Sequence, residues 1–314
     1  MDVLQAHLAR ARAAGGVFAR SVARPPWGLR LPGSVQLAVH TVVQGSAWLW
    51  RGDARDPVEL APGDVALVRG GSDHFVAYEP GADCLLPEDF RAQHAEDEYA
   101  SDRGSTIFLC GAYRFSGDVG QGLIEALPPV LMLSATLDDP VHGVIALISR
   151  ELSAPGPGQQ TVLDRLLDVL LVLTLRVGYA QGETAPRWYR ASGELRLGPA
   201  LRAIHTNAEH PWTVAELARL SGMSRASFAR VFQHGLGQAP MQYLTDWRMT
   251  IARDLLFTSD ASLADIAERT GYSSAYAFAT AFRRHHNTPP GQWRQRHVQM
   301  ASSASDAHDA AIAR

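Results

Sequence analysis

Residues 214–232 read VAELARLSGMSRASFARVF, and the spacing around the central glycine decides how the last third of the chain folds. Leu217 and Ala218 precede Gly222 by five and four residues, and Phe228 and Val231 follow it by six and nine. Two helices meeting at a tight corner need this arrangement. Ala218 is small enough for the helices to cross closely, Gly222 takes the positive φ of the turn, and Leu217, Phe228 and Val231 fill the space between them. Ser224 stands where a hydroxyl caps the second helix. The pattern returns about 49 residues later in 263–282, LADIAERTGYSSAYAFATAF. There Ile266 and Ala267 precede Gly271, Ser273 or Ser274 is the cap, and Phe278, Ala281 and Phe282 point inward. One such corner occurs in many helical packings; two in tandem predict a pair of helix-turn-helix units.

Between the repeats, 240–257 (PMQYLTDWRMTIARDLLF) places Tyr243, Leu244, Trp247, Ile251 and Leu255 on one helical face. At about 1.5 Å per residue this helix is roughly 27 Å long. Two insertions on one face of B-DNA lie about 34 Å apart, so the rod suits a chain that reads two successive major-groove segments.

Charge separates the two halves. The 314 residues carry a formal net charge of −3, but 1–181 hold 14 Arg against 21 acidic residues, whereas 198–298 hold 11 Arg against 7, with six histidines besides. A basic carboxyl half suits contact with a polyanion. All 29 basic residues are Arg, which excludes a Walker-type phosphate lysine, a Schiff-base lysine and a lysine general base. No apolar run is long enough to span a membrane and residues 1–20 lack a signal core, so the expected location is the cytoplasm. Two cysteines, Cys84 and Cys110, are too few for a disulfide framework and read as reduced thiols.

Upstream, 28–115 read as β-structure from short runs rich in Val, Thr, Leu and Trp, among them 35–43, 47–50, 65–68 and 106–109. Many short strands with Gly-rich turns predict a barrel or sandwich. The acidic segment 87–105 reads as a loop, with His94 as a solvated member of it. From Val141 the period becomes helical, with Val144, Leu147, Ile148 and Leu152, then Leu163, Leu166, Leu167, Leu170, Leu173 and Val177 after a Pro/Gly breaker at 154–158. The second helix carries more apolar surface than one packing face needs, which leaves a subunit interface and an intramolecular core as alternatives.

Residues 198–298 resemble the AraC/XylS-type DNA-binding domain. They have its two helix-turn-helix units and its closing signature, here Asn287-Thr288-Pro289-Pro290-Gly291-Gln292-Trp293-Arg294, with Asn287 where the family has Gly. By position the resemblance implies groove contacts from Ser224, Arg225, Ala226, Ala229 and Arg230 in the first unit. In the second it implies Ser274, Ala275, Tyr276 and Thr280. Arginine bonds guanine bidentately, whereas Ala226 and Ala229 reach only a thymine methyl. Arg283, Arg284 and Arg248 are cast as phosphate contacts or surface charges.

The stretch Gly63 to His74 is similar to the second cupin motif, with Arg69 in place of Pro, and His40 and Gly45 are what remains of the first. With Cys110-Gly111-Ala112-Tyr113 following, the region resembles the cupin domain found ahead of AraC-type domains in a subgroup that includes regulators responsive to reactive chlorine and other oxidants. Inward residues of a small barrel converge, so His40, His74 and Cys110 are candidate ligands for Zn²⁺ or another transition metal. Cys110 is also a candidate redox thiol, with Cys84 as its resolving partner. The plainer alternative is two hydrogen-bonded core histidines and an inert buried thiol. A third is an organic effector bound without metal, with Trp27, Trp48 and Trp50 lining the pocket.

The expected fold class is α+β: a cupin-like barrel (1–140), a helical dimerisation segment (141–181), a linker (182–197), an all-α domain with two helix-turn-helix motifs (198–298) and a tail (299–314). The expected function is a non-enzymatic transcription regulator that requires no cofactor to bind DNA. Its expected partners are double-stranded DNA, a second copy of the chain, a small-molecule or redox effector and RNA polymerase, with no membrane. The competing class is a metal-dependent cupin enzyme, an oxygenase or isomerase with a helical appendage. Against it, the first motif lacks the usual three-histidine-plus-carboxylate set.

Overall fold

The computed structural model describes residues 2–11, 13–52, 56–95, 104–115, 123–136, 138–154, 156–181 and 185–295. The expected tail, and 96–103 of the expected acidic loop, lie outside the described residues. The chain forms two compact units: one is built from Ala13–Ser116 with Gly122–Ala185, and the other gathers the residues before 13 with those after 185.

The first unit has two antiparallel sheets. One is five-stranded in the order β1 (Ala13–Ala23), β8 (Thr106–Phe115), β3 (Leu37–Gln44), β6 (Asp64–Arg69), β9 (Val130–Ser134). The other runs β2 (Gly28–Leu31), β7 (His74–Ala77), β4 (Ala47–Arg51), β5 (Val58–Leu60). Their shared core includes Trp27, Leu29, Ala38, Val42, Leu49, Val68, Val76 and Phe108. The outer face of the five-stranded sheet is covered as well, by α3 (Pro140–Ser153) and α4 (Gln159–Gln181). Burial on both faces explains why β3 reads as a near-continuous apolar run, with Leu37 and Val39 buried as fully as Ala38 and Val42. On α4, Leu163, Leu167, Leu170, Leu171 and Leu175 are buried, while Val162 and Val169 stay 42% and 44% exposed.

The segment 87–105 is not all loop. Pro87–Gln93 forms a short helix, α2, with proline in its first turn and Glu88 and Asp89 near its N-terminus, and Phe90 enters the core edge-on to Trp27 and Phe108. His94 is buried rather than solvated, its ring 4.6 Å from that of Phe90.

The second unit is all-helical: α5 (Arg187–Gly193), α6 (Gly198–Thr206), α7 (Val214–Leu220), α8 (Arg225–Leu236), α9 (Pro240–Thr258), α10 (Leu263–Arg269) and α11 (Ala275–His286). Two expected boundaries shift. The amino-terminal helix α1 (Val3–Ala11) packs here rather than with the sheets: Val3 and Ala6 join this core, and His7 stacks on Trp188 at 4.2 Å and lies 4.9 Å from the Trp247 ring. Part of the expected linker is helical too, because Ala191 is buried and Trp188 holds His7.

Both helix-turn-helix units share one construction. Thr213 and Glu216 form a capping box on α7, and Ser262 and Asp265 form its counterpart on α10. Gly222 and Gly271 make the corners at φ 64° and 72°. Ser224 and Ser274 cap α8 and α11 by accepting from the Ser227 and Ala277 amides. Leu217 and Ala218, matched by Ile266 and Ala267, are buried with Phe228, Phe232, Phe278 and Phe282.

The corners differ in their surroundings. A Cβ on Gly222 would meet open space, whereas one on Gly271 would stand 2.5 Å from both the Arg248 guanidinium and the Glu209 carbonyl oxygen. Gly222→Ala should therefore cost only the left-handed penalty of about 1–2 kcal/mol. Gly271→Ala should cost more in urea unfolding of the helical unit. Equal costs would show that Arg248 and the carbonyl yield freely.

Candidate nucleic-acid interface and sensor cavity

Helices α8 and α11 follow their corners and present the face away from the phenylalanine core. On α8, Arg225, Ala226 and Arg230 are exposed and Ala229 is half-buried, with Ser224 exposed at the cap. On α11, Ser274, Tyr276, Thr280, Arg283 and Arg284 are exposed and Ala275 is half-buried. Tyr276 is 82% exposed, an aromatic ring that packs against nothing in its own core. Gln233, also exposed, extends the α8 face one turn beyond Ala229 and Arg230. Its amide suits bidentate pairing with adenine, and its position at i+4 from Ala229 was a usable signal in the sequence.

Arg248 is engaged within the helical unit. Its Nε donates to the Ala208 carbonyl at 2.7 Å and one Nη to the His210 carbonyl at 2.9 Å, which pins α9 to the segment after α6. Two other ties set the helices around α9. Asp246 Oδ1 accepts from Gln242 at 2.7 Å and lies 3.0 Å from His285 Nε2 on α11. Arg294 of the closing signature donates to the Ala261 carbonyl at 2.6 Å, just ahead of the α10 cap, while Trp293 is buried edge-on to Phe282.

In the sheet unit, three chemistry-bearing residues meet in the core. His40 on β3 and Cys110 on β8 are register partners, and His74 comes from β7 of the other sheet. His40 Nδ1 lies 3.0 Å from Cys110 Sγ, and His40 Nε2 lies 2.8 Å from His74 Nε2. All three are buried. Burial, then the neighbouring His74, holds the His40 pKa well below its usual value. Burial, then Arg51, brings His74 down to about 4. Burial pushes the Cys110 thiol up. At neutral pH the group is therefore uncharged: two neutral imidazoles and a thiol.

This arrangement does not fit a metal ion. Three ligands must aim their lone pairs at one point, whereas His40 turns opposite ring nitrogens toward its two neighbours. Among the described residues no group of three or more His, Cys, Asp or Glu is disposed to hold a metal. Cys84 is half-buried, its Sγ 3.2 Å from the Ala82 carbonyl, and burial and Asp83 raise its pKa.

Cys110 and His74 line a cavity of about 270 Å³ between the sheets and α2, whose other walls include Leu29, Ala38, Phe90 and Arg91. None of the three tryptophans expected at a pocket lines it. Trp27 stacks on Phe108 at 4.8 Å, and Trp50 on Phe75 at 5.3 Å. Arg69, in place of the motif proline, donates to the carbonyls of Glu125 and Leu127.

Two sheets around a lined cavity and two capped, duplicated corners define a DNA-binding regulator with an amino-terminal cupin domain. Comparison with known proteins agrees: a family profile described as "Cupin" matches residues 2–180 and one described as "Helix-turn-helix domain" matches 217–296. The HTH-type transcriptional regulator AlkR of Acinetobacter baylyi is 30% identical over 281 residues, covering 86% of this chain and 91% of that one. The RCS-specific HTH-type transcriptional activator RclR of Escherichia coli is 28% identical over 311 residues, covering 96% of this chain and 100% of that one. Among solved structures, the DNA-binding domain of AdpA in complex with a target DNA is 33% identical over 32% of this chain and 95% of its own, with a TM-score of 0.30. The chain belongs to the AraC family of transcriptional regulators, in the branch that carries a cupin domain, and these relatives are described as regulators rather than enzymes. Among the described residues no helix is long and apolar enough to cross a membrane.

Arg230→Ala is expected to weaken binding to a specific operator by about 1–3 kcal/mol with a smaller loss on random DNA, as measured by competition gel shift. Equal losses on both would assign Arg230 to the phosphate backbone. Arg248→Ala should instead lower the unfolding midpoint of the helical unit.

Proposed function

We propose that this regulator reads two successive major-groove segments with α8 and α11, acts as a homodimer on chromosomal DNA in the cytoplasm, and answers to a small, largely apolar effector held in the barrel cavity. It needs no metal for this. The cavity carries the reading: an engineered cavity of about 150 Å³ already takes up benzene, so 270 Å³ has room for an aromatic molecule with a short side chain. Its polar side chains, Ser21, His74, Arg91 and Cys110, are few among mainly apolar walls, as effector sites require.

For DNA, the two caps support the reading. Each places a free helix N-terminus and a serine at the start of the exposed face, where phosphate oxygens are favoured. The second unit has Ala275 and Thr280 where the first has Arg225 and Arg230, so base discrimination falls mainly on α8. For dimerisation, support comes from Val162 and Val169 on α4 and Leu147 on α3, all more than 40% exposed on the covering helices. RNA polymerase is the further partner that activation would require.

An oxidant signal at Cys110 is the second reading, favoured by the position of that thiol in the cavity wall and by the relative described as RCS-specific.

Hydroxyl-radical footprinting on the DNA upstream of the coding region should show two protected stretches per monomer, about one helical turn apart on one face. A single stretch would confine base reading to α8. Val169→Asp should shift the protein toward monomer in sedimentation velocity, and an unchanged dimer would place the interface elsewhere.

A further inference from the structure

Cys110, His40 and His74 form a chain in which each member has a fixed partner. With the thiol protonated, Sγ–H donates to His40 Nδ1 across 3.0 Å. The other nitrogen of His40 then carries that ring's proton and donates to His74 Nε2 across 2.8 Å. This is a nucleophile hydrogen-bonded to a base that is itself oriented by a third group. Both ends of the chain, the thiol and His74, face the cavity, and the middle is sealed from water. An inert core cysteine needs neither the paired imidazoles nor the space.

From this geometry we infer that Cys110 is a covalent receptor for carbon electrophiles, with an α,β-unsaturated aldehyde or ketone of aromatic size as the effector class. The inference rests on the proposed effector role of the cavity and deepens it. In the addition, Sγ bonds the β-carbon of the acceptor while its π electrons move to the carbonyl oxygen. The thiol proton passes to His40 Nδ1, and the Nε2 proton of His40 moves on to His74. The enolate then takes a proton at its α-carbon, returned through the same chain. The net change is one S–C and one C–H bond for one S–H bond and one C=C π bond, so no oxidant or reductant enters. Arg91, in the cavity wall, supplies positive charge for the enolate oxygen.

The cavity selects this class over small oxidants. A hypohalous acid is polar and water-sized and has no use for 270 Å³ of space walled by Leu29, Ala38 and Phe90. An aryl enal fits that space, and its hydrophobic transfer concentrates it beside the buried thiol. The chain also lacks lysine, so an aldehyde finds no ε-amine as an alternative target.

The test treats the full-length protein with cinnamaldehyde and follows adducts by intact-mass and peptide-mapping mass spectrometry. One equivalent should add at Cys110 faster than at the more exposed Cys84, and adduct formation should change affinity for operator DNA. His40→Gln should slow labelling of Cys110 about a hundredfold, the scale of general-base assistance, and leave Cys84 unchanged. Should that variant fold poorly, wild-type protein preincubated with the saturated alcohol 3-phenylpropan-1-ol tests the cavity's part in the reaction: a filled cavity should protect Cys110 and not Cys84. Labelling at Cys84 first, or a Cys110 rate indifferent to both His40→Gln and the alcohol, overturns the inference. If the alcohol raises the melting temperature of the sheet unit while no Cys110 adduct forms, the covalent step fails and the effector cavity stands. If neither occurs, both readings fail.

Discussion

The DNA-binding half depends on one conformational constraint met twice: a residue with positive φ at the corner between two closely crossing helices. Gly222 and Gly271 satisfy it, and everything downstream of each corner inherits its direction. The duplication is close but not uniform. Residues before the corner repeat at 49, as in Thr213 and Ser262 or Ala218 and Ala267, and residues after it at 50, as in Phe228 and Phe278 or Pro240 and Pro290. The extra residue lies in the second turn, between Gly271 and Ser274. It is absorbed there, because both caps still bond the third amide of their helices. A second left-handed position closes each recognition helix: Gly237 at φ 79° and Asn287 at φ 55°. Asparagine tolerates that region better than other side chains, which is why the departure from glycine in the closing signature leaves the second unit intact.

Much of this half was legible from residue spacing, because a helix-turn-helix corner is local: its glycine, its small residue and its core positions lie within about four helical turns of one another. The barrel was legible only in its interior strands. β1, with Gly15 and Gly16 and an Ala-rich composition, gives almost no strand signal and is ordered by pairing along β8. The short helices were missed for a related reason. In α2 one residue, Phe90, reaches the core, and in α5 the decisive contacts come from α1, more than 170 residues earlier in the chain. No window of sequence contains that pairing.

At the sensor site, the sequence identified which side chains converge but not their orientation. Strand alternation places His40 and Cys110 on one face of neighbouring strands, and the turn before β7 delivers His74 from the opposite sheet. Whether an imidazole offers one nitrogen to a shared centre or both nitrogens to separate partners is set by ring rotation, which periodicity does not encode. That single torsion separates a ligand set from a proton relay. The burial that lowers both histidines and raises the thiol keeps every member of this row neutral at rest, with each polar atom at the two short contacts paired.

The same strand gives the cavity a route outward. β8 alternates, so Phe108 and Cys110 face the inter-sheet core while Leu109 and Tyr113 face the covering helices. Tyr113 is fully buried, and its hydroxyl donates to the Leu167 carbonyl of α4 at 3.0 Å. Its burial, with Asp168 adding to it, raises the phenol pKa, so it remains a donor across the physiological range. A ligand that displaces β8 at Cys110 therefore strains a bond three residues away to the helix that carries Val162 and Val169. On its other edge β8 pairs with β1 along Ala19, and β1 follows α1 in the chain. Because close-packed interiors pass strain on rather than absorb it, β8 ties the cavity wall at Cys110 to the buried face of α4 within the sheet unit.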